Sequence, residues 1–332
     1  MIPTLAADSA LLDCLRSLEA QILRDFEVVI VDNSGRRLVR ARDAGESAAG
    51  VLTILENERN AGFGAAINQG LRVSRTPFLA TLNDDCVAHP EWLRALVAAI
   101  EPRPDAGMCA SQVRLAGANR LDSAGMLLSA DASSKQRGHG ELPGRYSTPE
   151  EVLFPSGAAA LYRRAMLEEV GGFDEDFFLY CEDTDLGLRA RWAGWKCLYA
   201  PDAIVEHRYS HSAGRASRLK AYYVERNRLF VLLKNFPARA LVFAPFAALA
   251  RYGWHAWYLL RGRGAAAQFR TEGHAGWLLV WFALRAHLAM LASLVKLWKK
   301  RRAIRRTARI SDGEFRRLLH AHSISPREVA AL

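Results

Sequence analysis

Two apolar runs that end in acids set the frame for this chain. Glu27-Val-Val-Ile-Val-Asp32 leads into Asn33-Ser34-Gly35, and Phe78-Leu-Ala-Thr-Leu82 leads into Asn83-Asp84-Asp85. Val51 to Leu55 is a further short apolar run. The stretches between them are helical in pattern: Ala10 to Gln21, Gly64 to Val73, and Glu91 to Ile100 after Pro90. Short apolar strands alternating with helices predict an α/β fold with a mostly parallel, Rossmann-like sheet covered on both faces. Ligands of such sheets bind beyond the carboxyl ends of the strands, so Asp32 and Asp85 should face one crevice. The first strand is short of residues. Only Met1-Ile2 precede Pro3-Thr4, so either the strand is very short or the true start lies upstream.

A second set of acids lies between 171 and 207. Asp174, Glu175 and Asp176 precede the apolar stretch Phe177, Phe178, Leu179 and Tyr180; Glu182, Asp183 and Asp185 follow it. Carboxylates beside an apolar wall can be desolvated and used as a base. An acidic run is equally a solvated face or a helix N-terminus. Glu182 to Ala193 reads as a helix with acids in its first turn and Gly194 as its stop. Arg163 to Val170 is a shorter helix ended by Gly171-Gly172, and His207 closes the strand that follows. Residues 120–150, rich in Gly, Ser and Arg, read as a mobile loop.

The net charge of +10 is concentrated late in the chain. Residues 296–309 hold Lys296, Lys299, Lys300, Arg301, Arg302, Arg305, Arg306 and Arg309 and no acid. Before them, Leu241 to Leu260 and Trp277 to Trp298 are apolar and rich in Trp. Arg251 and His255 interrupt the first, and Arg285, His287 and Lys296 the second, which makes spanning helices costly. Arg251 and His255 share one helix face, as do Arg285 and Lys296. This predicts a division at 235/236, followed by two amphipathic helices in the membrane interface and a polybasic segment suited to anionic lipid. A helical subdomain with a solvated basic helix fits the same pattern. Past Trp298 no aromatics interleave with the basic residues, which speaks against a nucleic-acid partner. Five scattered cysteines without a Cys-x-x-Cys pair argue against a zinc site or disulfide framework and fit a reducing compartment. The N-terminus lacks a basic region followed by an apolar run, so it is not read as a signal peptide. The expected location is cytoplasmic, peripheral on the inner face of the cell membrane.

Asn83-Asp84-Asp85 approximates an Asp-x-Asp metal motif, although strand-end loops favour such residues in any case. Asn60-Ala-Gly-Phe-Gly-Ala-Ala-Ile-Asn-Gln-Gly70 opens a helix with Gly62 and Gly64, where backbone amides can approach a ligand. Ile67 stands where a dinucleotide fingerprint needs its third glycine, and the Lys-Ser/Thr of a P-loop is absent.

Taken in order, the motifs resemble those of family-2 glycosyltransferases with the GT-A fold, in particular rhamnosyltransferase-like bacterial members. The matching pieces are Ile2-Pro3-Thr4, Val31-Asp32-Asn33, Asn60-x-Gly-Phe-Gly, Asn83-Asp84-Asp85, Gly171-Gly-Phe-Asp-Glu175, Glu182-Asp-x-Asp-Leu186 and Pro201-x-Ala-x-Val-x-His207. They cover roughly residues 1–235. The departures are a clipped first strand, no Asn after Ile-Pro-Thr-Leu, and Asn at position 83. The resemblance implies transfer of a sugar, for example a deoxyhexose such as rhamnose, with inversion. The donor would be a nucleotide-diphosphate sugar, and the acceptor a hydroxyl of a glycan or polyprenyl-linked molecule in cell-surface polysaccharide synthesis. It implies that Asp32 bonds the nucleotide base and that Thr4, Asn60, Gly62, Asn68 and Asp84 line the donor. Asp85 and His207 would hold Mg²⁺ or Mn²⁺. Asp183 would be the base with Glu182 in support, and Asp185 and Trp192 would lie toward the acceptor. Two plainer roles stay open, Asp185 as a helix cap and His207 as a core histidine. A nucleotidyltransferase would use similar strand-end acids but needs a basic Gly-rich loop that Met1 to Ala10 lacks. A non-catalytic membrane-surface scaffold would have no use for those acids.

Overall fold

The computed structural model describes residues 1–40, 52–208 and 217–331. Val51, expected to open a strand, lies outside them. The chain divides into two compact units, Met1–Met126 with Gln136–Ala190 and Trp195–Ser212, and Leu127–Lys135 with Arg191–Gly194 and Ala213–Leu332. The expected boundary at 235/236 falls within the second.

In the first unit, β1 (Ile2–Thr4), β2 (Val28–Asp32) and β3 (Leu52–Glu56) run parallel in that order. All five residues of β2 are buried, as expected of an apolar run in a covered sheet. The first strand is thus present but only three residues long. Met1 extends the sheet: its carbonyl accepts from Leu82 N–H at 3.1 Å and its amino group donates to Ala80 O at 2.8 Å, which brings in β4 (Phe78–Leu82). The larger sheet adds β5 (Cys86–Ala88), β6 (Ala106–Leu115), β7 (Leu121–Ser123), β10 (Glu150–Val152), β11 (Ala159–Arg163) and β12 (Lys196–His207). Its order is β10-β12-β6-β11-β4, with β5 on β12 and β7 on β6. Here only β6 and β12 pair in parallel; β11 and the short strands run antiparallel.

The helices of this unit are α1 (Ser9–Glu19), α2 (Phe63–Val73), α3 (Trp92–Ile100), α4 (Arg164–Val170) and α5 (Glu182–Trp192), the last running on past the unit's end. Asp8 caps α1 through bonds from Ala10 and Leu11 N–H, and Leu11, Cys14, Leu15 and Leu18 form its buried stripe. They pack with Ile30, Leu82, Trp92 and Leu96 in one core. Each such aliphatic side chain contributes roughly 1.5–3 kcal/mol by leaving water.

The segment 120–150 is not a mobile loop. It forms β7, β8 (Met126–Leu128), β9 (Ser134–Gln136), a 3₁₀ turn at Pro143–Tyr146, and the first residue of β10. Its glycines serve tight geometry rather than freedom: Gly125, Gly138 and Gly140 all have positive φ.

The second unit is mostly helical: α6 (Arg218–Asn235), α7 (Ala238–Leu260), α8 (Gly264–Thr271), α9 (Trp277–Ala292), α10 (Leu294–Arg306), α11 (Asp312–Ala321) and α12 (Pro326–Ala331). Arg251 does not lie on a solvated face. It is 6% exposed and donates to Asp131 Oδ2 at 2.6 Å and Glu225 Oε2 at 2.9 Å, while Arg228 pairs with the same two carboxylates. Such a network persists because each buried charge is matched. The outward residues of α7 are instead apolar: Val242, Phe243, Phe246 and Leu249 are each at least 65% exposed. Arg285 and Lys296 do not share one straight helix either, because the chain bends by 67° between α9 and α10. Among the described residues no single helix is long and apolar enough to cross a membrane; this bent pair meets the length and composition only when taken together.

Candidate functional site

The strand ends converge where β5 pairs with β12. Cys86 lies opposite His207 in that ladder, which sets Asp85 beside the imidazole, with Asp85 Oδ1 3.2 Å from His207 Nε2. Both residues are buried. The other ring nitrogen, Nδ1, is 2.7 Å from Asp122 Oδ2. Burial opposes a charge on His207, but its bonds to Asp122 and Asp85 outweigh that and lift its pKa to about 10. Burial likewise opposes charge on Asp122, yet the two histidines around it hold its pKa near 2. Asp84 goes the other way. Burial, aided by Asp85, raises it to about 6 against the pull of Thr4, whose Oγ1 is 2.6 Å from Asp84 Oδ2.

Asp85 and Asp122 thus flank one imidazole, and Asp84 is the chain neighbour of Asp85. Carboxylates and an imidazole gathered at one strand end fit a cation. Asp85, His207 and Cys86 offer ligand atoms within 4.8 Å of one another. Burial, and then Asp85, push the Cys86 thiol well above its usual pKa, so it stays a thiol rather than a soft thiolate ligand. A carboxylate oxygen and an imidazole nitrogen, with places left for phosphate and water, suit a Mg²⁺- or Mn²⁺-type ion better than a zinc thiolate centre.

Asp183 sits in the first turn of α5, and three donors hold its carboxylate. Gly157 N–H reaches Oδ2 at 3.0 Å, while Thr184 N–H and Oγ1 reach Oδ1 at 2.6 and 3.2 Å. The next residue, Ala158, accepts from Asn83 N–H at 2.8 Å. One dipeptide therefore ties Asp183 to the strand end that carries Asp84 and Asp85. Burial raises the pKa of Asp183 while these donors pull it back. Glu182 has no such help. Its Oε2 is buried without a partner, and burial together with the charge of Asp183 lifts it to about 8. Burial and the charge of Asp183 thus favour a protonated Glu182, while the three donors favour the charged form of Asp183. The backbone just before them is strained, with Phe178, Tyr180 and Cys181 all at φ between 64° and 69°.

The glycine turn meets this strained loop. Phe63 N–H donates to Phe178 O at 2.8 Å, and a Cβ on Gly62, at φ 89°, would come within 2.3 Å of that oxygen. Asn60 Oδ1 accepts from Gly62 N–H at 2.9 Å and shapes the turn.

Several expected donor and acceptor residues are committed elsewhere. Both Asp32 oxygens accept from its own turn, from Ser34 and Val39 N–H at 2.9 and 3.0 Å. Asn68 clamps the 173–175 loop through Phe173 N–H and O and Glu175 Oε1, so it does not line an open donor face. Asp185 is fully buried and holds Arg189 at 2.8 Å, whose other nitrogens bind the carbonyls of Val170, Gly171 and Gly172. It braces the loop before the acids and does not face an acceptor. Trp192 is also buried: it belongs to the second unit, stacks on Phe315 at 3.8 Å, and donates to Asn235 O at 2.8 Å. Packing claims both side chains. Asp122, His139 and Gly157 were not foreseen. Gly157 lies in the tight Pro155-to-Tyr162 segment, and the polar composition of 120–150 hid the first two.

The geometry can be set against known proteins. Over 70 residues the chain is 50% identical to an N-acetylglucosaminyl-diphospho-decaprenol L-rhamnosyltransferase of Mycobacterium tuberculosis, covering 20% of this chain and 23% of that protein. It is 34% identical over 99 residues to the rhamnosyltransferase WbbL of Escherichia coli K12, covering 27% and 37%. The chain therefore spans well under half of either relative. Among solved structures, the mannosyltransferase PcManGT of Pyrobaculum calidifontis, in complex with GDP-Man and Mn²⁺, matches with a TM-score of 0.53 at 18% identity, over 94% of this chain and 85% of that one. That likeness speaks to the fold, GT-A. The family described as glycosyltransferase like family 2 matches residues 1–230, so a chain whose acids already sit at the ends of a GT-A sheet belongs to that family.

Proposed function

We propose that the protein is an inverting, metal-dependent glycosyltransferase. It moves a sugar, a deoxyhexose such as rhamnose, from a nucleotide-diphosphate donor to a hydroxyl of a polyprenyl-linked or other glycan acceptor. The observation that carries this reading is the tie, through Gly157 and Ala158, between Asp183 and the Asp84-Asp85 strand end. Asp183 takes the proton of the acceptor hydroxyl as that oxygen attacks the anomeric carbon. The bond from that carbon to the diphosphate breaks, and the nucleoside diphosphate leaves with the electron pair. One base opposite the leaving group gives inversion in a single displacement, unlike the paired acids of retaining glycosidases. Asp85 and His207 would hold the cation, Mg²⁺ or Mn²⁺. When bound, the ion offsets the charge that develops on the departing diphosphate. The two rhamnosyltransferase relatives support the donor, and the one named for a decaprenol-linked substrate supports the acceptor class.

A thermal-shift panel of thymine- and uracil-nucleotide diphosphate sugars, with and without Mn²⁺, tests the donor. The matching donor should raise Tm, and more so with the ion; saturation at about 100 times Kd stabilises by roughly 2.7 kcal/mol. No shift with any donor would sink the reading.

The second unit supports a place at the cytoplasmic membrane surface. Trp277, Val280, Trp281, Leu284, Leu288 and Leu291 share one face of α9 and are all exposed. Trp rings favour the membrane–water boundary. Of the late cations, Arg301 donates to Leu233 and Phe236 carbonyls, and Arg305 pairs with Asp312 and covers the Trp192 ring. Lys296, Lys299, Arg302, Arg306 and Arg309 are exposed. Each is worth roughly 1 kcal/mol near an anionic leaflet. The full-length protein should therefore co-sediment with anionic vesicles, less so at high salt, and less again when Lys299, Arg302 and Arg306 are all changed to Glu. If it stays in the supernatant with anionic vesicles at low salt, these helices are not a membrane face.

A further inference from the structure

The contact between His207 and Asp122 has no part in the reaction as described above. β6 lies between β7 and β12, so Asp122, in β7, reaches the imidazole from the side away from Asp85. Asp122 is 2% exposed. Oδ2 is 2.7 Å from Nδ1 of His207, and Oδ1 is 3.2 Å from Nδ1 of a second histidine, His139, which also lies 3.1 Å from the Asp122 carbonyl. His139 stands between Gly138 and Gly140, at φ 75° and 77°. A side chain at Gly138 would press into the Tyr146 ring at 2.7 Å, so this turn is fixed by close packing.

An ionised carboxylate only accepts hydrogen bonds. A histidine held by one presents N–H to it, so Asp122 decides that Nδ1 is the engaged nitrogen and Nε2 the one turned toward Asp85. We propose that Asp122 is a positioning residue for the cation site. It anchors Nδ1 of His207 at 2.7 Å and so fixes the ring with Nε2 beside Asp85, while His139 holds Asp122 from the more exposed side. Carboxylate–histidine–metal arrangements of this kind orient the ring and raise the basicity of the ligating nitrogen. The inference rests on the cation reading above and adds to it a residue that is not a ligand.

The test is Mn²⁺ binding by the full-length protein, followed by the EPR signal of free Mn²⁺ and without any donor. Asp122→Asn should weaken binding by about 10–100-fold. His139→Gln should weaken it by a few-fold only, as a support of Asp122. On a His207→Gln background, Asp122→Asn should change nothing further, since its effect passes through that ring; general damage to folding would instead add to the loss. Imidazole nitrogen NMR supplies a readout without metal: the Nδ1–H of His207 should show a strong hydrogen bond in the native protein and a weakened one in Asp122→Asn. Failure of the native protein to bind Mn²⁺ removes the cation reading and this inference with it. Native binding that Asp122→Asn leaves intact, or an equal loss on the His207→Gln background, overturns the inference alone.

Discussion

Asp183→Asn lowers turnover by a factor on the order of 10²–10⁴ and leaves donor affinity within a few-fold of native. Asn keeps the size of the side chain and an oxygen for Gly157 or Thr184 to donate to, but it cannot take a proton. The loss should therefore fall on the chemical step. Glu182→Gln should be much milder. Glu182 has its pKa raised to about 8 by burial and the neighbouring charge, so at neutral pH the native side chain is already uncharged and Gln imitates it. pH separates the two residues further. The base must be ionised, so transfer should rise as pH passes through the raised pKa of Asp183, and that rising limb should vanish in Asp183→Asn. Glu182 acts on stability instead. Between its ordinary 4.5 and about 8 the folded protein keeps a proton that the unfolded chain has released, so its contribution is lost as pH rises through that window. Glu182→Gln should flatten this part of the Tm profile. A crippled Glu182→Gln beside an active Asp183→Asn would move the base by one residue, and a product of retained configuration would remove the single-displacement mechanism.

The frame of the first unit was legible because it is local. Buried strands such as β2 are short apolar runs, α1 carries its own cap, and α1 and α2 both carry buried stripes. The strand-end acids were legible for the same reason. The parts that failed depend on partners far away in sequence. Asp122 gave no signal among Gly, Ser and Arg, because what matters is that β7 hangs on β6 beside β12. Asp185 and Asn68 look like site residues in an acidic or Gly-rich motif, yet Arg189 and the Phe173 backbone claim them. In the C-terminal helices the orientation of the charged residues was the part not legible. A charged residue in an apolar helix was read as its solvated face. Asp131 and Glu225 reversed that for α7, drawing Arg251 inward and leaving Phe243 and Phe246 outside. Sequence periodicity finds a polar stripe; it does not tell which stripe faces the partner when buried acids wait for it.

Asp85→Ala should abolish cation-dependent transfer with the fold retained. Several kcal/mol of charge stabilisation at the departing diphosphate depend on the ion, which corresponds to a fall of roughly 10³-fold or more. The structure gives reason to expect an intact fold. The ladder that positions the residue is made by backbone pairing of Cys86, Val87 and Ala88 with β12, and Asp122 still holds His207 once the Asp85 carboxylate is gone. Far-UV circular dichroism should therefore match the native protein while Mn²⁺ binding and transfer are lost together. The native enzyme in excess chelator should behave like the variant and recover when Mn²⁺ is restored, and the variant should not recover. This separates loss of the ion from loss of structure. Undiminished transfer by native protein in excess chelator would end the metal role of Asp85 and His207. The two residues would then be a buried ion pair that joins β5 to β12, and the negative charge around His207 would be balanced by its own proton.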